Sequence, residues 1–270
     1  MSTETAGAAR TEPARLRAVE LPALAGVWRH EVTLFTYYWR STSFSAVVEP
    51  TIYLLSFGTG FGSLVGRIAG YRYIEFLGTG VVATTALFVS AFAGMFQTFV
   101  RRVYQHAYDA LLAAPVDTHE VVLGEALFIA VKAGVYCLAP LAVAMCFGLD
   151  PAPGMVLVPL IGFLTGLGFA LAGILASALV PSIDSFNYII SGVITPLFLV
   201  AGTFFPVSQL PGWAQGLATL NPLYHCVELV RHAVFGLHPL ADLGHVAVLA
   251  LFALLAGWLA VWRMRAKLVD

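Results

Sequence analysis

The chain of 270 residues has little charge. Charged residues make up only 11% of it, and just two of the basic ones, Lys132 and Lys267, are lysines. An ordinary soluble domain carries roughly a quarter. With so few cations, no surface is suited to nucleic acid. Three cysteines are too few for a disulfide framework. Cys137 and Cys146 sit on opposite sides of any shared helix, and a Cys146–Cys226 bridge would need both at the outer side. A phosphate-cradling Walker A loop requires Gly-Lys followed by Ser or Thr. Neither lysine follows a glycine, so the chain binds no nucleotide in that way. Gly58-Thr-Gly60-Phe-Gly62 has the glycines of a dinucleotide loop without a strand before it, and reads as a helix end.

Hydrophobic residues are present in excess, at 59%. A soluble fold of this size has no interior large enough for them, so lipid must face much of the surface. A crossing needs about 20 mostly apolar residues. Uncharged or nearly uncharged stretches at about 43–65, 76–100, 121–147, 155–179, 186–205 and 243–262 predict an all-α polytopic membrane protein with six transmembrane helices. Residues 1–23, rich in Ala, Glu, Arg, Thr and Pro without an apolar core, read as a disordered cytoplasmic tail and not a signal peptide. Lys and Arg orient the chain. With the N-terminus inside, ten fall in cytoplasmic segments and three outside (Arg67, Arg72 and Arg231), with Lys132 in the membrane. Both termini are therefore expected in the cytoplasm.

Four regions could carry function. Trp28, Val32, Phe35 and Trp39 recur at helical spacing, with Arg29, Thr33, Thr36 and Arg40 one residue along. They predict an N-terminal amphipathic helix lying in the inner interface. Between the second and third spans, Tyr108-Asp109-Ala110-Leu111-Leu112 has the makings of a short cytoplasmic helix stopped by Pro115. Its exposed Tyr108, Leu111 and Leu112 would want a partner. Asp117 and Glu120 then resemble a capping box. Glu125 and Lys132, seven apart on one helix face, are intramembrane polar candidates, read equally as a structural pair and as part of a substrate path. Between the fifth and sixth spans, Pro206, Pro211, Asn221 and Pro222 break an apolar stretch running on to His225. A re-entrant outer hairpin suits this segment better than a seventh span. Smaller features read as structural. Glu49 before Pro50 suits a helix N-terminus, Gly162-Phe-Leu-Thr-Gly166 a close helix crossing, and His225, Glu228, Arg231 and His232 an outer helix with an internal Glu228 pair. No catalytic or metal-ligating set is found.

Three stretches resemble the ABC-2 type permeases, most closely the NodJ-type subunit of lipo-oligosaccharide exporters. They are Glu49-Pro-Thr-Ile-Tyr-Leu-Leu-Ser-Phe-Gly-Thr-Gly-Phe-Gly62; Tyr108-Asp-Ala-Leu-Leu112 with Val122-Leu-Gly-Glu125; and Ile194-Thr-Pro-Leu-Phe-Leu-Val-Ala-Gly-Thr-Phe-Phe-Pro206 with Gln209-Leu-Pro211 and Asn221-Pro-Leu-Tyr-His225. The family usually has Asp where Glu49 stands, a departure that keeps the carboxylate. The resemblance covers residues 24–270 as one transmembrane domain. It implies a permease that hydrolyses no ATP itself and pairs, as two copies, with two copies of a separate ABC ATPase holding ATP and magnesium. The segment from Tyr108 to Pro115, with Asp109, Leu111 and Leu112, would be its coupling helix. The cargo would be an amphiphile such as a lipo-oligosaccharide or glycolipid, moved across a bacterial inner membrane. A drug or antibiotic efflux permease shares that architecture. An ATP-independent carrier or a scaffold is the competing class, and a carrier should show internal repeats, which this chain lacks.

Overall fold

A computed structural model describes residues 20–68, 70–112 and 116–269, and nearly all of them are helical. Among the described residues, five helices are long and apolar enough to cross a membrane: Tyr73–Val103, Thr118–Cys146, Pro153–Leu179, Ile183–Val200 and Pro239–Leu268. They coincide with the second to sixth expected spans, each shifted by a few residues at its ends. The first expected span, 43–65, is helical but not among the five. Glu49 and the hydroxyls of Ser43, Ser45, Thr51, Ser56, Thr59 and Ser63 dilute its hydropathy.

That stretch is continuous with the expected interface helix, which corrects the sequence reading. Helix α1 runs unbroken from Leu21 to Tyr53 and passes through a π-turn (Leu54–Thr59) into α2 (Gly60–Val65). No glycine or proline interrupts it between Val27 and Glu49, so nothing separates an interfacial piece from a crossing one. It starts on Pro22, placed in the first turn where a missing N–H costs nothing. Residues 21–23 of the expected tail are thus helical, and 1–19 lie outside the described residues. Nor does Glu49 open a helix. Pro50 sits inside α1, and the next turn relaxes to π geometry, one way a membrane helix absorbs the lost backbone bond. Gly58 and Gly60 lie in this π-turn and in α2, not in a phosphate loop.

After a two-residue antiparallel hairpin (β1, Arg67–Ile68; β2, Tyr71–Arg72) come α3 (Tyr73–Phe92), a π-turn (Ala93–Gln97) and α4 (Thr98–Val103). The short α5 (Ala107–Leu112) leads to α6 (Thr118–Tyr136) and α7 (Leu138–Cys146), offset where Pro140 removes a helical bond. Next are α8 (Val158–Leu179), α9 (Phe186–Ile189), α10 (Thr195–Val200), α11 (Gly212–Leu220), α12 (Pro222–Phe235) and α13 (Pro239–Val269). The π-turn Ile190–Ile194 joins α9 to α10.

Helix α8 is central, packed against α3, α6 and α13. Lipid tails are as apolar as the helices, so close backbone approach rather than hydrophobicity holds such a bundle. Glycine provides it here. A Cβ on Gly166 would come within 2.6 Å of the Ala133 Cβ, and one on Gly162 within 3.1 Å of the Gly134 Cα, so the small-residue step seen in the sequence is the α6 contact. On the other face, Gly94 meets the Ala170 carbonyl and Gly173 the Ala91 carbonyl. The Ile183–Val200 helix is different, with 11% of its apolar window buried against 83% for Tyr73–Val103. Cys137, Cys146 and Cys226 are free thiols.

The glycine contacts predict that Gly173→Leu, pressed onto the Ala91 carbonyl and the Met95 amide, lowers stability by about 1–3 kcal/mol or more. Thermal unfolding of the detergent-purified chain measures it. An unchanged midpoint would contradict the packing.

Candidate functional site

The end of the bundle where α4, α5 and α6 meet is built around a buried carboxylate. Glu125, on the second turn of α6, is 1% exposed. Its Oε1 accepts from the Thr98 hydroxyl at 2.7 Å and from Arg101 Nη1 at 3.2 Å. Its Oε2 accepts the Tyr108 hydroxyl. The same Arg101 nitrogen donates to Glu31 of α1, and Glu31 and Arg101 are both buried. One carboxylate thereby ties four elements, since Glu31 lies on α1, Thr98 and Arg101 on α4, Tyr108 on α5 and Glu125 on α6. Burying such charges costs several kcal/mol each unless they are paired and hydrogen-bonded. Here every oxygen of Glu125 has a donor, and a guanidinium bridges the two acids. Charge-assisted bonds of this kind are about twice as strong as neutral ones. Burial, then the adjacent Glu125 carboxylate, hold the Tyr108 phenol well above its usual range and so keep it a donor.

The loop entering α6 is fixed as well. The Glu120 carboxylate accepts the Asp117 N–H at 2.9 Å, the bond expected of a capping box, and also the Glu20 N–H at 2.6 Å. The start of α1 is therefore pinned to the start of α6. Gly124 lets Val27 of α1 come close, its absent Cβ lying 2.7 Å from a Val27 methyl. Trp28 and Phe35 both meet the Phe128 ring edge-on.

These contacts correct three sequence readings. Tyr108 is 1% exposed and points into the bundle, so it is no part of an exposed docking face. A phenol that satisfies a buried carboxylate gains more than one left in water. Leu111 is half-buried against the same core. The side chains of Asp109 and Leu112, and all of Pro115, lie outside the described residues. Second, Glu125 pairs with Arg101 rather than Lys132. It faces α4 and α5, whereas Lys132 lies two turns farther along and has no hydrogen bond or ion pair among the described residues, though it is buried. Third, the buried stripe of α1 passes through Val27 and Glu31, one residue away from the aromatic stripe, and Val32 and Trp39 are exposed. Glu31 and Arg101 were missed as site residues. Their signal was a lone acid in an apolar helical stripe and an arginine directly abutting an uncharged span.

At the opposite end, the proline-broken segment forms two short helices and not a span. Pro206 and Pro211 precede a 3-10 turn (Val207–Gln209) and α11. The Asn221 side chain caps α12 through the Leu223 N–H at 2.9 Å, with Pro222 in the first turn, and its amide reaches the Leu197 carbonyl at 2.7 Å. His225 Nε2 lies 2.9 Å from the Thr219 carbonyl, and its Nδ1 lies 2.7 Å from His245 Nδ1. A carbonyl only accepts, so His225 carries a proton on Nε2. Arg231 bonds Glu228 at 3.1 Å and the Gly202 carbonyl at 2.6 Å, confirming the internal pair read from the sequence. No group of three or more metal-ligating side chains occurs among the described residues.

Comparison with known proteins agrees with this architecture. The ABC-2 type transporter family matches residues 25–235. The chain belongs to that family. It is 33% identical to Nodulation protein J of Rhizobium meliloti (strain 1021) over 249 residues, 90% of this chain and 93% of that one. Nodulation protein J of Rhizobium leguminosarum bv. trifolii is likewise 33% identical over 244 residues, with the same coverage. The Inner membrane transport permease YadH of Escherichia coli (strain K12) is 27% identical over 90% of this chain and 94% of its own. Such ABC-2 relatives are membrane subunits of transporters rather than enzymes, and the family usually works with an ABC ATPase.

Removing the guanidinium would leave Glu31 and Glu125 buried face to face. Arg101→Met should cost about 3–5 kcal/mol, and Glu31→Gln in the same chain should restore part of it. Unfolding midpoints of the single and double variants decide. Equal midpoints for wild type and Arg101→Met would exclude the network.

Proposed function

We propose that the chain is the membrane-spanning subunit of an ATP-driven exporter that moves an amphipathic substrate, such as a lipo-oligosaccharide or glycolipid, out of the cytoplasm or inner leaflet. One observation carries the reading: α5, the short helix between two spans, is bonded through Tyr108 to Glu125 inside the bundle. A push on α5 therefore reaches α6 directly, and α1 and α4 through Arg101. The nodulation and transport-permease relatives support an exporter, and the family supports an ABC ATPase as the source of the push.

The finer arrangement follows from that reading. Two copies of the chain pair with two ATPase subunits, which hold ATP and magnesium. The chain crosses the bacterial inner membrane six times, the 43–65 stretch adding one crossing to the five apolar helices, with both termini in the cytoplasm. The exposed Ile183–Val200 helix and the outer part of α1 form the faces available to a second copy. Asp109, Leu111, Leu112 and Pro115 lie on the segment that meets the ATPase, while Tyr108 transmits from its inner side. The two helices between Pro206 and Phe235 form the re-entrant element at the outer exit. Lys132, a buried cation without an ion pair among the described residues, supports a place on the substrate path.

Affinity purification from native membranes should recover a separate ATP-binding subunit with the chain, and its absence would overturn the exporter reading. In that complex Asp109→Lys should leave membrane insertion intact and lower transport per ATP hydrolysed several-fold. An unchanged ratio would remove the coupling role. Mass spectrometry of cells lacking the chain should show the cargo accumulating inside.

A further inference from the structure

The C-terminal helix presents a groove that the transport reading does not use. Along α13, Gly257, Trp258, Val261, Trp262 and Arg265 face a channel floored by leucines of α8 and α6 and closed by Leu24 of α1. The channel encloses about 860 Å³, within the range of ligand sites. Its lining is apolar except at one end, where Arg265 makes no ion pair among the described residues. Leu254 is 72%, Trp258 68% and Trp262 61% exposed, so none of the described residues covers it. Gly257 deepens it, since a Cβ there would already stand 3.3 Å from Leu171.

Two features identify the occupant. The apolar stretch from Ala250 to Val261 spans eleven helical steps, roughly 16 Å at ~1.5 Å per residue. Half of a ~30 Å hydrocarbon core is about the same depth, so the groove matches one leaflet. At its end stand the Trp262 indole, suited to the headgroup level, and Arg265, with Arg263 and Lys267 in the same terminal turns. Basic pockets between membrane helices hold anionic headgroups. We propose that this groove is a binding site for one anionic phospholipid, its acyl chains on the α6 and α8 leucines and its phosphate on Arg265. The placement in the inner leaflet rests on the cytoplasmic C-terminus proposed above. Lipid binding itself does not.

Native mass spectrometry of the full detergent-purified chain, given phosphatidylglycerol or phosphatidylcholine, tests this. The chain should retain phosphatidylglycerol roughly fivefold better, the worth of one basic residue at an anionic headgroup. Arg265→Gln should erase that preference while leaving the unfolding midpoint in place. Gly257→Phe should lower retention of both lipids. Equal retention by the wild type, no retention of either, or an undiminished preference in Arg265→Gln would each overturn the proposal. A lipid-free dimer would instead show a second copy in the groove. None of these readouts involves the ATPase, so failure here leaves the exporter reading standing.

Discussion

A carboxylate cannot stay ionised inside a membrane bundle without partners, and Glu125 organises its surroundings on that constraint. Thr98, Arg101 and Tyr108 converge on it from two elements, and Arg101 brings in Glu31 from a third. Three successive segments and the distant α1 are thereby held at one point by bonds that are each costly to leave unmade. Apolar contacts between membrane helices slide easily, because lipid is an equally good neighbour. Charge-assisted bonds do not. The bundle is stiff at this end because displacing any one member uncovers a charge.

The same stiffness suits the end of the molecule that would receive force. Helix α5 has only six residues, too few to be stable alone. Its order comes from Tyr108 and from the apolar core behind Leu111. Such a helix cannot move without carrying α6 with it. Toward the opposite end the construction is looser. The π-turn at Leu54–Thr59 interrupts regular bonding in the continuation of α1, and the Ile183–Val200 helix has few partners among the described residues. One end held by charge-assisted bonds and a less tightly packed remainder suit the proposed device, pushed from one side.

Much of this was legible in the sequence, for physical reasons. Hydropathy locates the five apolar helices because lipid leaves no other place for long uncharged runs. The Asp117–Glu120 cap and the Asn221–Pro222 start of α12 are local backbone chemistry, readable in a few residues. The Glu228–Arg231 pair is a one-turn neighbour. Other features depended on tertiary contact and were invisible. Tyr108 looks like an exposed anchor until α6 brings a buried acid beside it. Arg101 looks like a cytoplasmic charge at a span end, and Glu31 like a lone acid in an apolar stripe, with nothing local to name its partner. The continuity of α1 was hidden by Glu49-Pro50, which reads as a helix start although α1 runs through it.

The central claim is that Tyr108 and Glu125 act as one unit linking α5 to the spans. A double-mutant cycle on the reconstituted complex tests it most directly, with transport per ATP hydrolysed as the readout. Tyr108→Phe and Glu125→Gln should each reduce that ratio, and the double variant should be no worse than Glu125→Gln alone. If the two losses multiply, Tyr108 and Glu125 act separately, and the link through the buried network is not how α5 moves the bundle.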